Sequence, residues 1–258
     1  MSVDFDPLPA ATMLANASRA GRQIAELPVA IRPPTLSDGY DVQAEFVRAM
    51  GAKAAGWKLA IGSPRARRES GLSCAIAGTI VDSQLFSAGA ALRLDLFAPI
   101  IIEFEIAYIV NQDIRPDETI EDPTSVIAAT RVAFELVRSR FVDRGGVGWP
   151  SFAADNGTFL ALVLGPRIAD DDIDAVVQSL RVVIDGEEKA VALTGDDFTA
   201  PLESLADLLA IARDRNFVVP KGSIVSTGTL SAPFTLSHPA TVTAHYLDAT
   251  LAFTLGQT

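Results

Sequence analysis

At 258 residues with 49% hydrophobic content, the chain can form one large domain with a sizeable core, or one domain with a smaller helical appendage. Its net charge of -11 argues against nucleic acid and anionic membranes as main partners, but not against an anionic small molecule, because a metal and a few cationic side chains can set the local potential. Cys74 is the only cysteine, and His238 and His245 are the only histidines. That excludes an intrachain disulfide and argues against a Cys/His zinc site. No apolar run approaches a membrane span, and the acidic start (Asp4, Asp6) lacks a basic n-region, so a soluble cytoplasmic protein is expected.

Residues 8–27 carry Leu8, Met13, Leu14, Ala17, Ile24 and Leu27 close to a helical period, broken by Arg32-Pro33-Pro34. Ser37 or Asp38 can cap a second helix through Phe46 to Met50, ended by Gly51. Residues 1–54 therefore read as a helical N-terminal layer, with the main domain over 55–258. Residues 55–63 predict a short strand with Lys58 among apolar neighbours, either snorkelling at a strand edge or paired. Residues 65–69 predict a charged, solvated helix start, and 78–81 a second strand.

The run from Ile100 to Val110 is rich in β-branched and aromatic residues and predicts a longer strand. Alternation sends Ile102, Phe104 and Ile106 to one face and Glu103 with Glu105 to the other. Two adjacent carboxylates are costly to bury without a cation; a hard divalent metal with oxygen ligands would remove that cost. A solvent-facing pair on an edge strand is the other reading. Residues 124–140 predict a helix leading into a strand at 132–137, where Glu135 alternates with Phe134 and Leu136 in the same way. A polar loop is expected at 151–158 before the apolar run 159–164. A hairpin is expected over 180–193 with its turn at Gly186, then an amphipathic helix over 201–213 and about three strands to the end.

The order of these pieces resembles the fumarylacetoacetate hydrolase superfamily, within it the 2-keto-4-pentenoate hydratase / 4-oxalocrotonate decarboxylase branch. Carrying the resemblance are Asp38-Gly39-Tyr40-Asp41-Val42-Gln43, Gly56-Trp57-Lys58, Glu103-Phe104-Glu105-Ile106-Ala107, Phe134-Glu135-Leu136-Val137-Arg138-Ser139-Arg140, Ala154-Asp155-Asn156 and Ser226-Thr227-Gly228. Lys58 lies 45 residues before Glu103, and Glu135 lies 30 after Glu105. The resemblance implies an α+β fold, a β-sandwich-like roll under the helical layer. It also implies one Mg2+ or Mn2+ held by Glu103, Glu105 and Glu135, which would chelate a 2-oxo acid and stabilise its enolate.

Lys58 would serve as proton donor or carboxylate partner, Asp155 as acid/base or as the group orienting Lys58, and Thr227 and Gly228 would lie near the substrate carboxylate. The implied activity is a hydratase acting on a 2-hydroxydienoate, with decarboxylation or a non-catalytic partner role as alternatives, in a homo-oligomer. The superfamily's hydrolytic members use a histidine–glutamate pair early in the domain; here no histidine precedes His238. Arg138, Ser223, His238-Pro239-Ala240 and Asp248 depart from the family pattern, which implies an altered substrate pocket.

Overall fold

A computed structural model describes residues 5–257; Asp4, read above as part of an acidic start, lies outside them. Helix α1 (Leu8–Arg19) stops eight residues short of the predicted span. Gly21 turns the chain at φ 57°, and Ile24 instead bridges Phe141. Helix α2 (Leu36–Ala49) begins at a capping box: the Thr35 hydroxyl accepts from the Asp38 amide while the Asp38 side chain accepts from the Thr35 amide. Thr35 is thus the cap, not Ser37 or Asp38. The two helices bury Leu14, Val42 and Phe46 together with Phe141 and Ala154 of the main body. Gln43, almost fully buried, donates to the carbonyls of Ala77 and Ala153.

Next come β1 (Ala54–Ala60), α3 (Pro64–Ser70), β2 (Ile76–Val81), β3 (Leu85–Ser87), β4 (Ala91–Leu94), β5 (Ile100–Val110) and β6 (Ile127–Val137). Arg67 of α3 is not simply solvated, since it pairs with Asp207 at 2.6 Å. The helix expected from residue 124 is only a 3-10 turn, Pro123–Val126, after which β6 starts earlier than predicted. The expected polar loop at 151–158 is instead the end of a buried helix, α4 (Trp149–Ala154), followed by a tight turn.

The chain continues through β7 (Phe159–Ile168), α5 (Ile173–Ser179), β8 (Arg181–Ile184), β9 (Glu187–Val191) and α6 (Pro201–Asp214). It ends with β10 (Ile224–Thr229), β11 (Phe234–Leu236), β12 (Ala240–Tyr246) and β13 (Ala249–Gln257). The β8–β9 hairpin turns on Asp185 (φ 49°) and Gly186 (φ 90°), the two left-handed residues that a tight two-residue turn requires.

Eight strands form one sheet in the order β2-β1-β10-β5-β6-β7-β3, with β11 also paired to β5; β4-β13-β12-β8-β9 form a second. The two sheets meet through aromatic rings. Phe104 and Phe134 face each other across β5 and β6 at 5.4 Å, edge to face. Phe134 then touches Phe253 of β13 at 5.4 Å, and Phe104 touches Tyr246 of β12 at 5.7 Å. This apolar layer occupies one face of β5 and β6, so their glutamates fall on the other.

Phe134→Ala removes both of its ring contacts from a fully buried position. Urea unfolding should show a loss of about 3–5 kcal/mol; a loss below about 1 kcal/mol would count against this ring cluster as the joint between the sheets.

Candidate metal centre

Strand register builds the centre. Glu103 stands directly opposite Glu135 across the β5–β6 ladder, and directly paired residues project to the same face. Glu105, two residues on, shares that face. Ser226 of β10 pairs with Ala107 of β5, and Lys58 of β1 pairs with Ser226, so four adjacent strands aim these side chains to one side. In a flat sheet the β1 and β6 backbones would be about 14 Å apart. Curling brings Lys58 Nζ to 3.0 Å from Glu135 Oε1. The curled face is closed tightly: a Cβ on Gly78 would sit 2.4 Å from the Asn156 carbonyl oxygen.

One oxygen from each of the three glutamates lies within 4.8 Å of the others. Glu105 and Glu135 are fully buried and Glu103 partly so. Glu105 Oε2 accepts from the Ser226 hydroxyl at 2.5 Å and the Gly228 amide at 3.1 Å. Glu105 Oε1 and Glu135 Oε2 are buried without a hydrogen-bond partner. Burial, then repulsion from Glu103, pushes Glu105 up to about 7. Burial also holds Glu135 well above the carboxylate range, although Lys58 pulls it back. Lys58 is affected in the opposite sense: burial would lower its pKa, but Glu135, Glu103 and Glu105 together raise it.

Three carboxylates against one ammonium leave two negative charges in excess, in a space with little water. Orphaned buried oxygens and this uncompensated charge suit a hard dication, and an all-oxygen donor set suits Mg2+, Mn2+ or Ca2+ rather than zinc. The residues therefore fit the metal that the sequence implied.

Above the carboxylates opens a cavity of about 310 Å³, lined by Lys58 and Glu103 and by the apolar Val137, Trp149 and Phe152. Its wall includes Thr158, the last of three consecutive left-handed residues: Asn156 at φ 57°, Gly157 at φ 55° and Thr158 at φ 64°. For β-branched Thr158 this is a strained conformation. It is held because the Asn156 side chain accepts from the Thr79 amide at 2.6 Å and donates to the Thr79 carbonyl at 2.9 Å.

Several expectations need correction. Asp155 does not orient Lys58; its buried carboxylate accepts from the Ser139 hydroxyl and from the Arg140 backbone and guanidinium. Burial raises the Asp155 carboxyl, although Arg140 and Ser139 pull it back, and the residue does not line the cavity. The Thr227 hydroxyl donates to the Ile106 carbonyl at 2.9 Å, turned away from the cavity. Gly228 does line the cavity, but its amide is committed to Glu105. The departures at Arg138, Ser223, His238-Pro239-Ala240 and Asp248 line no part of the cavity. Arg138 instead lies 4.1 Å over the Phe97 ring, and burial lowers its pKa to about 10. Sequence reasoning missed Ser226, although its place two residues before Gly228 in a strand was a usable signal. The strained turn gave none.

The fold is that of the fumarylacetoacetate hydrolase superfamily, and the chain is related in sequence to its 2-keto-4-pentenoate hydratase / 4-oxalocrotonate decarboxylase branch. It is 25% identical over 250 residues to 2-keto-4-pentenoate hydratase of Burkholderia vietnamiensis, covering 95% of each chain. It is 27% identical over 222 residues to 4-oxalocrotonate decarboxylase of Pseudomonas sp. strain CF600, covering 82% of each. The structure of 4-oxalocrotonate decarboxylase from Pseudomonas putida G7, complexed with magnesium and adipate, superposes with a TM-score of 0.82 at 21% identity, covering 96% of this chain and 97% of that one. No protein-family model matches the chain.

In metal-free protein the folded value of Glu105, about 7, stands above its ordinary 4.5. Between those values the folded state binds more protons than the unfolded one, so this group's contribution to stability falls as pH rises. Glu105→Gln should therefore raise the melting temperature in chelator more at pH 8 than at pH 5, by roughly 2–4 °C per kcal/mol relieved. Equal shifts at both pH values would contradict the assigned strain.

Proposed function

We propose that the protein is a divalent-metal-dependent lyase that adds water to a 2-hydroxydienoate or related 2-oxo-alkenoate. The observation that carries this reading is the convergence of Glu103, Glu105 and Glu135 within 4.8 Å, with orphaned oxygens beneath an apolar-walled cavity. These three residues hold Mg2+ or Mn2+, which when bound supplies Lewis-acid polarisation of the 2-oxo acid's oxygens.

The chain's own groups do the rest. Lys58 keeps a proton on Nζ inside the cavity, available to the substrate or to a neighbouring carboxylate. Ser226 and the Gly228 amide keep Glu105 aimed. Val137, Trp149 and Phe152 keep bulk water from the floor, which strengthens each charge interaction there. Asp155 acts at a distance, fixing Arg140 and the turn after β6. Hydrolysis by a histidine–glutamate pair is disfavoured: neither histidine lines the cavity, and both are exposed.

Decarboxylation of a 4-oxalocrotonate-type acid is the second reading, supported by similarity to decarboxylase sequences at comparable identity. The same floor serves both reactions, and a product assay separates them because only the decarboxylase releases CO2. A metal-free partner subunit, the reading that the departures at Arg138 and Ser223 would favour, is the weaker alternative, because neither residue lines the cavity.

Two substitutions test the assignment. Glu103→Gln should abolish turnover and weaken Mg2+ binding by more than the roughly 10–100-fold typical of losing an outer-shell partner; metal retained at full occupancy after dialysis would sink the ligand assignment. Lys58→Met keeps an apolar stem in the same channel. It should retain the metal while turnover falls by about 10²–10⁴-fold, and unchanged turnover would remove Lys58 from the chemistry.

A further inference from the structure

The side chains of Ser63, Thr158, Thr199 and Thr229 bring hydroxyls to the cavity wall. Three of them are engaged: Ser63 Oγ accepts from the Ala66 amide at 3.3 Å, Thr158 donates to the Gly157 carbonyl at 2.6 Å, and Thr229 donates to the Ser231 carbonyl at 2.7 Å. Thr199 makes no side-chain hydrogen bond among the described residues, although it is only 4% exposed. A buried hydroxyl without a partner is costly, and one bordering a cavity is placed to be satisfied by what fills it.

The surrounding chain fixes Thr199 from both sides. It lies between the 3-10 turn Gly195–Asp197 and α6. Before it, Asp196 pairs with Arg68 at 2.6 Å and Asp197 with Arg65 at 3.0 Å, which also removes the acceptor nearest in sequence. After it, Ser204 of α6 donates to the Thr227 carbonyl at 2.7 Å. Two glycines make room for the side chain: a Cβ on Gly62 would lie 2.7 Å from Thr199 Cγ2, and a Cβ on Gly228 would lie 3.1 Å from the same atom and 3.5 Å from Thr199 Oγ1. Gly228 is the residue whose amide holds Glu105 at 3.1 Å. The unpartnered hydroxyl therefore sits beside the backbone that anchors one of the three carboxylates.

We propose that Thr199 is a substrate-binding residue whose hydroxyl donates to an oxygen of the bound 2-oxo acid. This rests on the reading of the floor as a 2-oxo acid site. An anionic oxygen of the acid's own carboxylate is the strongest acceptor such a ligand offers a hydroxyl. Ser226 and Thr227 cannot make this contact, because their protons go to Glu105 and to the Ile106 carbonyl.

Calorimetric titration of the Mg2+-loaded protein with oxalate, which presents a carboxylate beside a second oxygen as a 2-oxo acid does, tests the proposal. Thr199→Val keeps the shape and removes the hydroxyl. It should weaken oxalate binding about 10- to 100-fold, the range for one lost hydrogen bond to a charged group, while Mg2+ affinity without oxalate stays unchanged. Thr199→Ser should restore most of the affinity. Equal oxalate binding by the wild type and Thr199→Val would assign the hydroxyl to water alone and overturn the proposal, leaving the floor intact. A parallel loss of Mg2+ affinity, or Thr199→Ser as weak as Thr199→Val, would overturn it too, since each marks a packing role. No oxalate binding by the wild type would overturn the reading of the floor and this inference with it.

Discussion

Mutual repulsion of buried carboxylates is the constraint around which the rest of the structure is arranged. Glu105 and Glu135 have no access to water, and Glu103 lies directly across the ladder from Glu135. Such a cluster persists in a folded protein only with compensating charge and donors. The structure supplies part of each: one ammonium from Lys58, one hydroxyl from Ser226 and one amide from Gly228. What is left over is two negative charges and two oxygens without partners, which is the electrostatic image of a dication.

The architecture serves this cluster in two ways. The aromatic contacts of Phe104 and Phe134 with Tyr246 and Phe253 commit one face of β5 and β6 to the core, which fixes the opposite face as the place for the acids. Curling of the larger sheet then lets the Lys58 side chain of β1 meet Glu135 of β6, and the turn at Asn156-Gly157-Thr158 packs against the Lys58 stem. That turn is strained on its own and is maintained by the Asn156 clamp on β2. Strain stored beside the buried Lys58 is consistent with a site that depends on fixed geometry.

Asp155 illustrates how a motif can be located correctly and its contact misjudged. The match of Ala154-Asp155-Asn156 to the family pattern implied an acid/base group or one orienting Lys58. In the fold, the carboxylate points the other way, into Arg140, whose guanidinium lies 5.1 Å from the Phe46 ring of the N-terminal layer. The residue thus couples the helical layer to the loop that follows β6. The departures from the family pattern were misjudged in a similar way, because distance along the chain gave no measure of distance from the cavity.

Local chemistry was legible without coordinates. Alternation assigned Glu103 and Glu105 to one face, Gly186 marked a hairpin, and the apolar runs marked β5 and β7. These follow from periods of two and from turn stereochemistry, which act over a few residues. The helix expected at residue 124 and the loop expected at 151–158 failed because short segments take their form from what covers them. Pairing of Glu103 with Glu135 and the reach of Lys58 across three strand spacings were decided by register and sheet curl. Those depend on contacts between residues far apart in the chain, and so only the tertiary structure could determine them.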